Sequence, residues 1–305
     1  MNAKTYAAID IGSNGARLLI KRFDDNALQF EKIKRVMFIR VPLRLGKDVF
    51  TLGKISKDRY NMMMHMMKGF KQFMLLNNVD EYRACATAAM RDADNGKKIM
   101  KEIEKETGIK LEIIRGEEEA QLLCNNIIEQ TNSTKGNFAY VDVGGGSTEI
   151  SLLHDGVLAE SHSFDNGTLR MLSGKVTSAT KHQMRGMLEE YADHFPDTKI
   201  IGSGGNINKL YKLTHKKDDS QVLKLSELEE IYKELSMLSE EERKEKYGLK
   251  DDRADVIIPA SEIFIMVAHA LKCDTILVPN ISLADSIVDG LYNERKMSEV
   301  NNANL

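Results

Sequence analysis

Apolar positions along this chain fall into two kinds of run. Short apolar runs bounded by Gly, Asn and Asp predict strands at about 5–11, 15–23 and 28–40, then near 82–87 and 111–114. Apolar residues recurring at three and four predict a helix over 57–76, and another near 96–107 that Gly108 stops. A further helix opens at Glu117-Glu118-Glu119, where carboxylates face the positive end of the helix dipole. The plan then resumes, with strands near 138–143, 147–153 and 157–163. Beyond them, a strand from Ile200 runs into a Gly-rich turn and a helix. A charged helical stretch over 226–247, an apolar helix over 254–271, a strand over 275–278 and a helix over 283–295 complete the reading. Arg44-Leu45-Gly46-Lys47-Asp48 reads as a loop, and the tail after Lys296 as frayed. Strands lead each half and helices follow, which predicts an α/β class with mixed sheets.

The two halves open on nearly the same phrase. Tyr6 to Ile20 and Phe138 to Leu152 each hold an apolar run, an Asp, a Gly-rich turn and a second apolar run. Asp10 matches Asp142 and Gly12 matches Gly144, at an offset of 132 residues, far too long for a solenoid repeat. Two similar domains are expected, 1–124 and 125–282, with the helix over 283–295 packing back on the first. Each strand–turn–strand offers a nest of backbone N–H groups of phosphate size, and an anion gripped in an interdomain cleft is the expected arrangement.

Composition narrows this little. The net charge of −3 argues against bulk binding of duplex nucleic acid, yet local amides and a few Arg side chains suffice for a small anion. Cys85, Cys124 and Cys273 are too scattered for a metal cluster and read as reduced thiols of a cytoplasmic protein. There is no signal-like pattern at the start and no apolar run long enough for a bilayer. The Met62 to Met67 run reads as a helix face packing into a core, and His65 alone is not a site. His154-Asp155-Gly156 reads as a hairpin turn between strands.

The chemistry gathers at the Gly-rich turns. Asp10-Ile11-Gly12-Ser13-Asn14-Gly15 is followed by a strand, so it is neither a P-loop nor a dinucleotide fingerprint, and alone it would pass for an ordinary hairpin. Gly144, Gly145 and Gly146 between two apolar strands are costly in a sheet, so something there requires bare amides. Asp142 before that turn and Glu149 after it suit Mg²⁺, a hard ion that bridges carboxylates and phosphates; the alternative for Glu149 is a solvated strand position. Gly202-Ser203-Gly204-Gly205 opens a helix and offers an anion site, or a plain strand-to-helix loop. One glutamate of the Glu117–Glu119 run can serve as a general base for water, or all three can be caps. Arg91 suits the charge stabilisation that phosphoryl transfer needs, its alternative being a salt bridge to Asp92 or Asp94.

Taken together these residues resemble the exopolyphosphatase/guanosine-pentaphosphate phosphohydrolase family in its short two-domain form. The resemblance rests on Asp10-Ile11-Gly12-Ser13-Asn14, Thr87…Arg91…Asn95, Glu118-Glu119-Ala120, Asp142 through Glu149, Gly202-Ser203-Gly204-Gly205 and Arg253-Ala254-Asp255…Pro259, in order over most of the chain. It implies two duplicated actin-like (ribonuclease H-like) domains and hydrolysis of the terminal phosphoanhydride of polyphosphate, with guanosine pentaphosphate as the alternative substrate. Glu119 would then be the general base. Asp142 and Glu149 would be metal ligands for Mg²⁺, with Asp10 a further candidate. Ser13, Asn14, Gly15, Gly144, Gly145, Gly146, Ser147 and Thr148 would cradle phosphates. Arg91, Arg17, Arg44 and Arg170 would supply charge, with Lys47 a further candidate; each of these cations is alternatively a solvated surface charge. A homodimer is the family-level expectation.

Two departures stand out. Gly15 occupies a position where the family commonly has Ser, so a hydroxyl donor gives way to a bare amide. Longer members carry a C-terminal helical domain of His/Asp phosphohydrolase type, which the 305 residues are expected to lack. These departures motivate a second reading, a nucleotide sensor with little turnover. An ATP-using kinase or chaperone of the same fold ranks third.

Overall fold

The computed structural model describes residues 3–26, 32–131, 135–214, 220–279 and 281–303, with 124–131 and 299–303 described for the backbone alone. The chain forms two compact units, Met1–Arg115 with Leu283–Leu305, and Gly116–Ser282. The expected division at 124 falls inside the helix Gly116–Thr131, which belongs to the second unit.

In the first unit, β1 (Lys4–Ile11), β2 (Ala16–Phe23) and β3 (Ile33–Val41) form an antiparallel meander. β4 (Glu81–Ala86) runs parallel to β1, and β5 (Leu111–Ile113) parallel to β4, giving the order β3-β2-β1-β4-β5. The first residues of the expected 28–40 strand, 28–31, lie outside the described residues. The helix Lys57–Leu76 buries Met63, Met64, Met67, Phe70 and Met74 and leaves Met62 and His65 exposed, so the Met run is a core face.

The expected loop at Arg44–Asp48 is instead a left-handed Arg44 followed directly by a helix, Leu45–Leu52. Arg44 lacks the oxygen of a usual N-cap, so no start signal is readable there. The supposed frayed tail is also regular: the helix Leu283–Ala303 packs on β1, β2 and β4. Lys21 on β2 anchors it, with Nζ 3.0 Å from Asp285 and 2.9 Å from Asp289, and Tyr292 stacks on Phe23 at 4.2 Å between centroids.

The second unit repeats the topology. β6 (Asn137–Val143), β7 (Thr148–His154) and β8 (Val157–Phe164) form the meander, β9 (Lys199–Ser203) runs parallel to β6, and β11 (Thr275–Leu277) parallel to β9. A short β10 (Val222–Lys224) adds an antiparallel edge, and the order is β10-β11-β9-β6-β7-β8. Asp155 and Gly156 both take positive φ in the two-residue turn between β7 and β8, as a hairpin needs. Met184, Leu188 and Tyr191 of the helix Ser178–His194 join Phe264 and Val267 of Ile257–Ala270 and the strands in one buried cluster. Among the described residues no helix is long and apolar enough to cross a membrane.

Candidate active site

The turn between β6 and β7 is shaped by what its carbonyls do. Gly144 N donates to Ser147 O at 3.0 Å and closes it. Thr168 N then donates to Gly144 O (3.0 Å), Leu169 N and Arg170 N to Gly145 O (2.8 and 3.1 Å), and Arg170 Nε to Gly146 O (2.7 Å). All three glycine carbonyls are thus drawn toward the short helix Thr168–Leu172. Gly167 permits that approach, since a Cβ there would stand 2.4 Å from Gly146 C and Ser147 N. Among the described residues, no backbone carbonyl accepts from the amides of Gly145, Gly146 and Ser147, which leaves a nest of donors for an anion.

Two carboxylates frame the nest. Asp142 and Glu149 are direct partners in the β6–β7 ladder, so their side chains share one face. Glu149 is 1% exposed, and Ser163 Oγ on β8 donates to its Oε1 at 3.0 Å. Gly116, the first residue of its helix, lies close against this pair: a Cβ would be 2.1 Å from Ser163 Oγ and 3.7 Å from Glu149 Oε1. The helix therefore starts beside the Glu149 carboxylate, and of its three leading glutamates Glu119 is buried while Glu117 and Glu118 are exposed.

Among the described residues no three His, Cys, Asp or Glu side chains converge as a metal cage. The pair Asp142 and Glu149 beside bare amides nevertheless fits Mg²⁺, which takes one or two carboxylates and fills its other positions with water and phosphate oxygens.

The third glycine turn abuts the same strand. Ser203 is the β9 partner of Asp142. Gly204 adopts φ +93, and a Cβ on it would come 2.6 Å from Asp142 Oδ1. Gly205 is overlain by Arg253, whose Nη2 would lie 2.1 Å from a Cβ and whose Nη1 donates to Asn206 Oδ1 at 2.5 Å. The Arg253-Ala254-Asp255 stretch thus braces this turn. Ser203 Oγ is buried, with no hydrogen-bond partner among the described residues.

The first unit carries the sister turn. Gly12 N donates to Gly15 O at 3.1 Å, while Arg44 N and Gly46 N donate to Asn14 O and Ser13 O at 3.0 and 2.9 Å. Ser13 is 3% exposed, and its Oγ has no hydrogen-bond partner among the described residues. Asp10 is paired with Arg17 at 2.5 Å.

The expected residues therefore divide. The second unit brings together Asp142, Glu149, Gly144–Ser147 and the third turn, and carries the buried Glu119 on the helix that starts beside Glu149. Thr148 departs from its expected part, because it is fully buried and its hydroxyl donates to Asn166 O at 2.6 Å. Arg170 braces the turn and pairs with Asp165 at 3.1 Å. Asp10 is neutralised by Arg17, which sets that carboxylate apart from Asp142 and Glu149. Arg91 lies 3.7 Å from Asp92 and 3.5 Å from Ile114 O, so the pairing that rivals its anion role is present; Lys47 is exposed. Cys85 and Cys273 are free thiols, Cys85 raised in pKa by burial, while the Cys124 side chain lies outside those described. Sequence reasoning missed Gly116, Gly167 and Ser163, whose importance lies in close approach between distant segments.

The two units thus share a meander-plus-parallel sheet, each copy with a nest of amides between its first two strands, in a duplicated α/β fold. The sequence profile of the Ppx/GppA phosphatase family matches residues 20–294, and the chain belongs to that family. A guanosine-5′-triphosphate,3′-diphosphate pyrophosphatase of Aeromonas salmonicida is 26% identical over 95% of this chain, and a bifunctional 3-dehydroquinate synthase/phosphatase of Fusobacterium nucleatum is 26% identical over 94%. The chain spans 60% of the first relative's length and 47% of the second's. In fold it is similar to an exopolyphosphatase of Cytophaga hutchinsonii, with a TM-score of 0.84 at 21% identity, covering 95% of this chain and 98% of that one. It is likewise similar to the Aquifex aeolicus Ppx/GppA family member, with a TM-score of 0.76 at 24% identity over 96% and 99% of the two chains.

Proposed function

We propose that this chain hydrolyses the terminal phosphoanhydride of a linear polyphosphate, with Glu119 as the general base. The observation that carries this reading is the burial of Glu119 alone among three consecutive glutamates, on a helix that starts beside Glu149 and the glycine nest. In the reaction the amides of Gly145, Gly146 and Ser147 hold the terminal phosphoryl group. Glu119 orients a water and takes its proton as the oxygen bonds to phosphorus. The bridging P–O bond breaks on the opposite side, and the shortened chain leaves with the electron pair. Asp142 and Glu149 would hold Mg²⁺, which supplies charge neutralisation of the phosphate oxygens when bound. Such catalysis rests on positioning and charge rather than on covalent chemistry.

A second substrate, guanosine pentaphosphate, is favoured by the similarity to several guanosine-5′-triphosphate,3′-diphosphate pyrophosphatases. It presents the same terminal anhydride to the same turn. Phosphate release from polyphosphate and from guanosine pentaphosphate, with and without Mg²⁺, separates the two. Glu119→Gln should lower kcat by about 10²–10⁴-fold on the true substrate with the fold intact, and an unchanged kcat removes Glu119 from the reaction. Tight binding of guanosine tetraphosphate with no turnover of either substrate would favour the sensor reading.

A further inference from the structure

In the first unit, the space that a side chain on Gly15 would occupy is filled by another residue. A Cβ on Gly15 would stand 3.0 Å from Val41 O, 3.3 Å from Arg40 Nη2 and 3.5 Å from Arg40 Cζ. The guanidinium of Arg40 therefore lies on the bare face of the turn. Its strand explains how. Arg17 is the β2 partner of Asp10 on one side and of Arg40 on the other, so the three side chains form one row across β1, β2 and β3. The equivalent row of the second unit is Asp142, Glu149 and Ser163. One row sets two guanidinium groups against a single carboxylate; the other sets two carboxylates beside a hydroxyl.

The two rows therefore carry side-chain charge of opposite sense. Asp10 offsets Arg17 at 2.5 Å, and the second cation of the row stands over the turn. In the same turn Ser13 Oγ is buried with no hydrogen-bond partner among the described residues, and the amides of Ser13 and Gly15 donate to no backbone carbonyl there. A buried hydroxyl and bare amides beside a guanidinium suit a phosphate oxygen, for which Arg has the matching planar fork.

We infer that Arg40 is an anion-binding residue of the first glycine turn, its guanidinium seated where Gly15 has no side chain and donating to a phosphate oxygen of an inorganic polyphosphate. This rests on the phosphate-hydrolase reading for the class of ligand, but it concerns binding and not turnover.

Calorimetry with tripolyphosphate in EDTA, where hydrolysis is arrested, tests it. Arg40→Ala should weaken binding by about ten- to a hundredfold, the scale of a charge-assisted hydrogen bond, and Arg40→Lys by less. Arg22→Ala, which removes the same charge from an exposed position on β2, should leave binding unchanged. Gly15→Ser alone should weaken binding, because its Cβ crowds Val41 O and displaces the guanidinium. Gly15→Ser with Arg40→Ala should recover part of the loss by placing a hydroxyl in the vacated space. Equal affinity of Arg40→Ala and wild type, with unchanged melting, overturns the inference alone, as do equal losses in Arg22→Ala and Arg40→Ala. No binding by wild type in EDTA overturns the inference and leaves the phosphate-hydrolase reading to the assays in Mg²⁺. Arg40-dependent binding without hydrolysis of any polyphosphate in Mg²⁺ sustains the inference and removes the hydrolase.

Discussion

Glu149 faces Asp142 across β6 and β7 just as Arg17 faces Asp10 across β1 and β2. The duplicated hairpin thus keeps its Asp and reverses the sign of the partner. In the first unit the pair closes as a salt bridge. In the second, two carboxylates stand together with Glu149 almost wholly buried, an arrangement that repels itself unless a cation or a proton intervenes. Mg²⁺ should therefore raise the melting temperature of the wild type, and chelation should reverse the gain. Glu149→Gln should abolish most of that Mg²⁺-dependent shift while the metal-free protein melts no lower than wild type. A Mg²⁺ shift retained in full by Glu149→Gln would place the ion elsewhere.

Gly116 and Ser163 should be coupled. A Cβ at Gly116 would overlap Ser163 Oγ at 2.1 Å, and that hydroxyl holds Glu149 Oε1. Gly116→Ala is expected to cost about 1–3 kcal/mol through overpacking and to lower activity by turning Ser163 away from the carboxylate. Adding Ser163→Gly frees the space, so the double variant should regain stability relative to Gly116→Ala while its activity stays low. Additive melting losses in the double variant would contradict the contact.

Much of this architecture is legible in the sequence, and the part that is not has a physical cause. The repeated Asp-x-Gly phrase marks a strand–turn–strand twice because the period-two apolar pattern and the glycines are local signals. The helix Lys57–Leu76 is legible for the same reason, its apolar spacing being continuous and Ser56 capping its start through Arg59 N. Arg44 escapes because it begins a helix from the left-handed region with no capping side chain. Gly116 and Gly167 carry no assigned role in the sequence; their demand for bare backbone comes from Ser163 and from Gly146-Ser147, contacts made in space that no local pattern encodes. The role of Glu119 among three glutamates is undecided in the sequence, since only burial distinguishes it.

Gly167 should be the most sensitive glycine of the second turn. Its Cβ position lies 2.4 Å from backbone atoms of Gly146 and Ser147, and backbone cannot step aside as a flexible side chain can. Gly167→Ala is expected to lower both melting temperature and affinity for phosphate, by pushing the turn's carbonyls off the amides of Thr168, Leu169 and Arg170 that donate to them. Gly186→Ala, on the helix Ser178–His194 with open space around it, should be neutral or slightly stabilising. Similar behaviour of the two variants would show that the turn tolerates displacement.

Acid should loosen the start of β1. Burial opposes ionisation of Asp80, but the Thr5 amide, Lys4 and Arg295 outweigh it and hold the carboxyl below its ordinary value of 3.8. Asp80 accepts from Thr5 N at 2.8 Å and from Lys4 Nζ at 3.2 Å. A lowered folded-state pKa means that the stabilisation is complete above the ordinary value and vanishes as pH falls through the folded one. Asp80→Asn should therefore melt below wild type at pH 7, and the gap should close toward pH 3. A gap independent of pH would assign the effect to shape rather than charge.

Lys21 is the strongest candidate for the tie that brings the last helix back to the first unit. Its ammonium is nearly buried between Asp285 and Asp289, with Arg35 reaching Asp285 from the rim at 3.3 Å. Removing the cation alone leaves two aspartates one turn apart with little water to screen them. Lys21→Met should cost about 3–5 kcal/mol, the usual scale for breaking a buried ion pair from one side. The loss should appear first as faster hydrogen exchange in the helix Leu283–Ala303 and along β1 and β2, on which it packs. Lys21→Met combined with Asp285→Leu and Asp289→Leu removes the stranded charges along with their partner and should recover most of the stability. Uniform exchange across the whole chain in Lys21→Met, or no recovery in the triple variant, would mean that the helix is held by its apolar face and by the Phe23–Tyr292 stack alone.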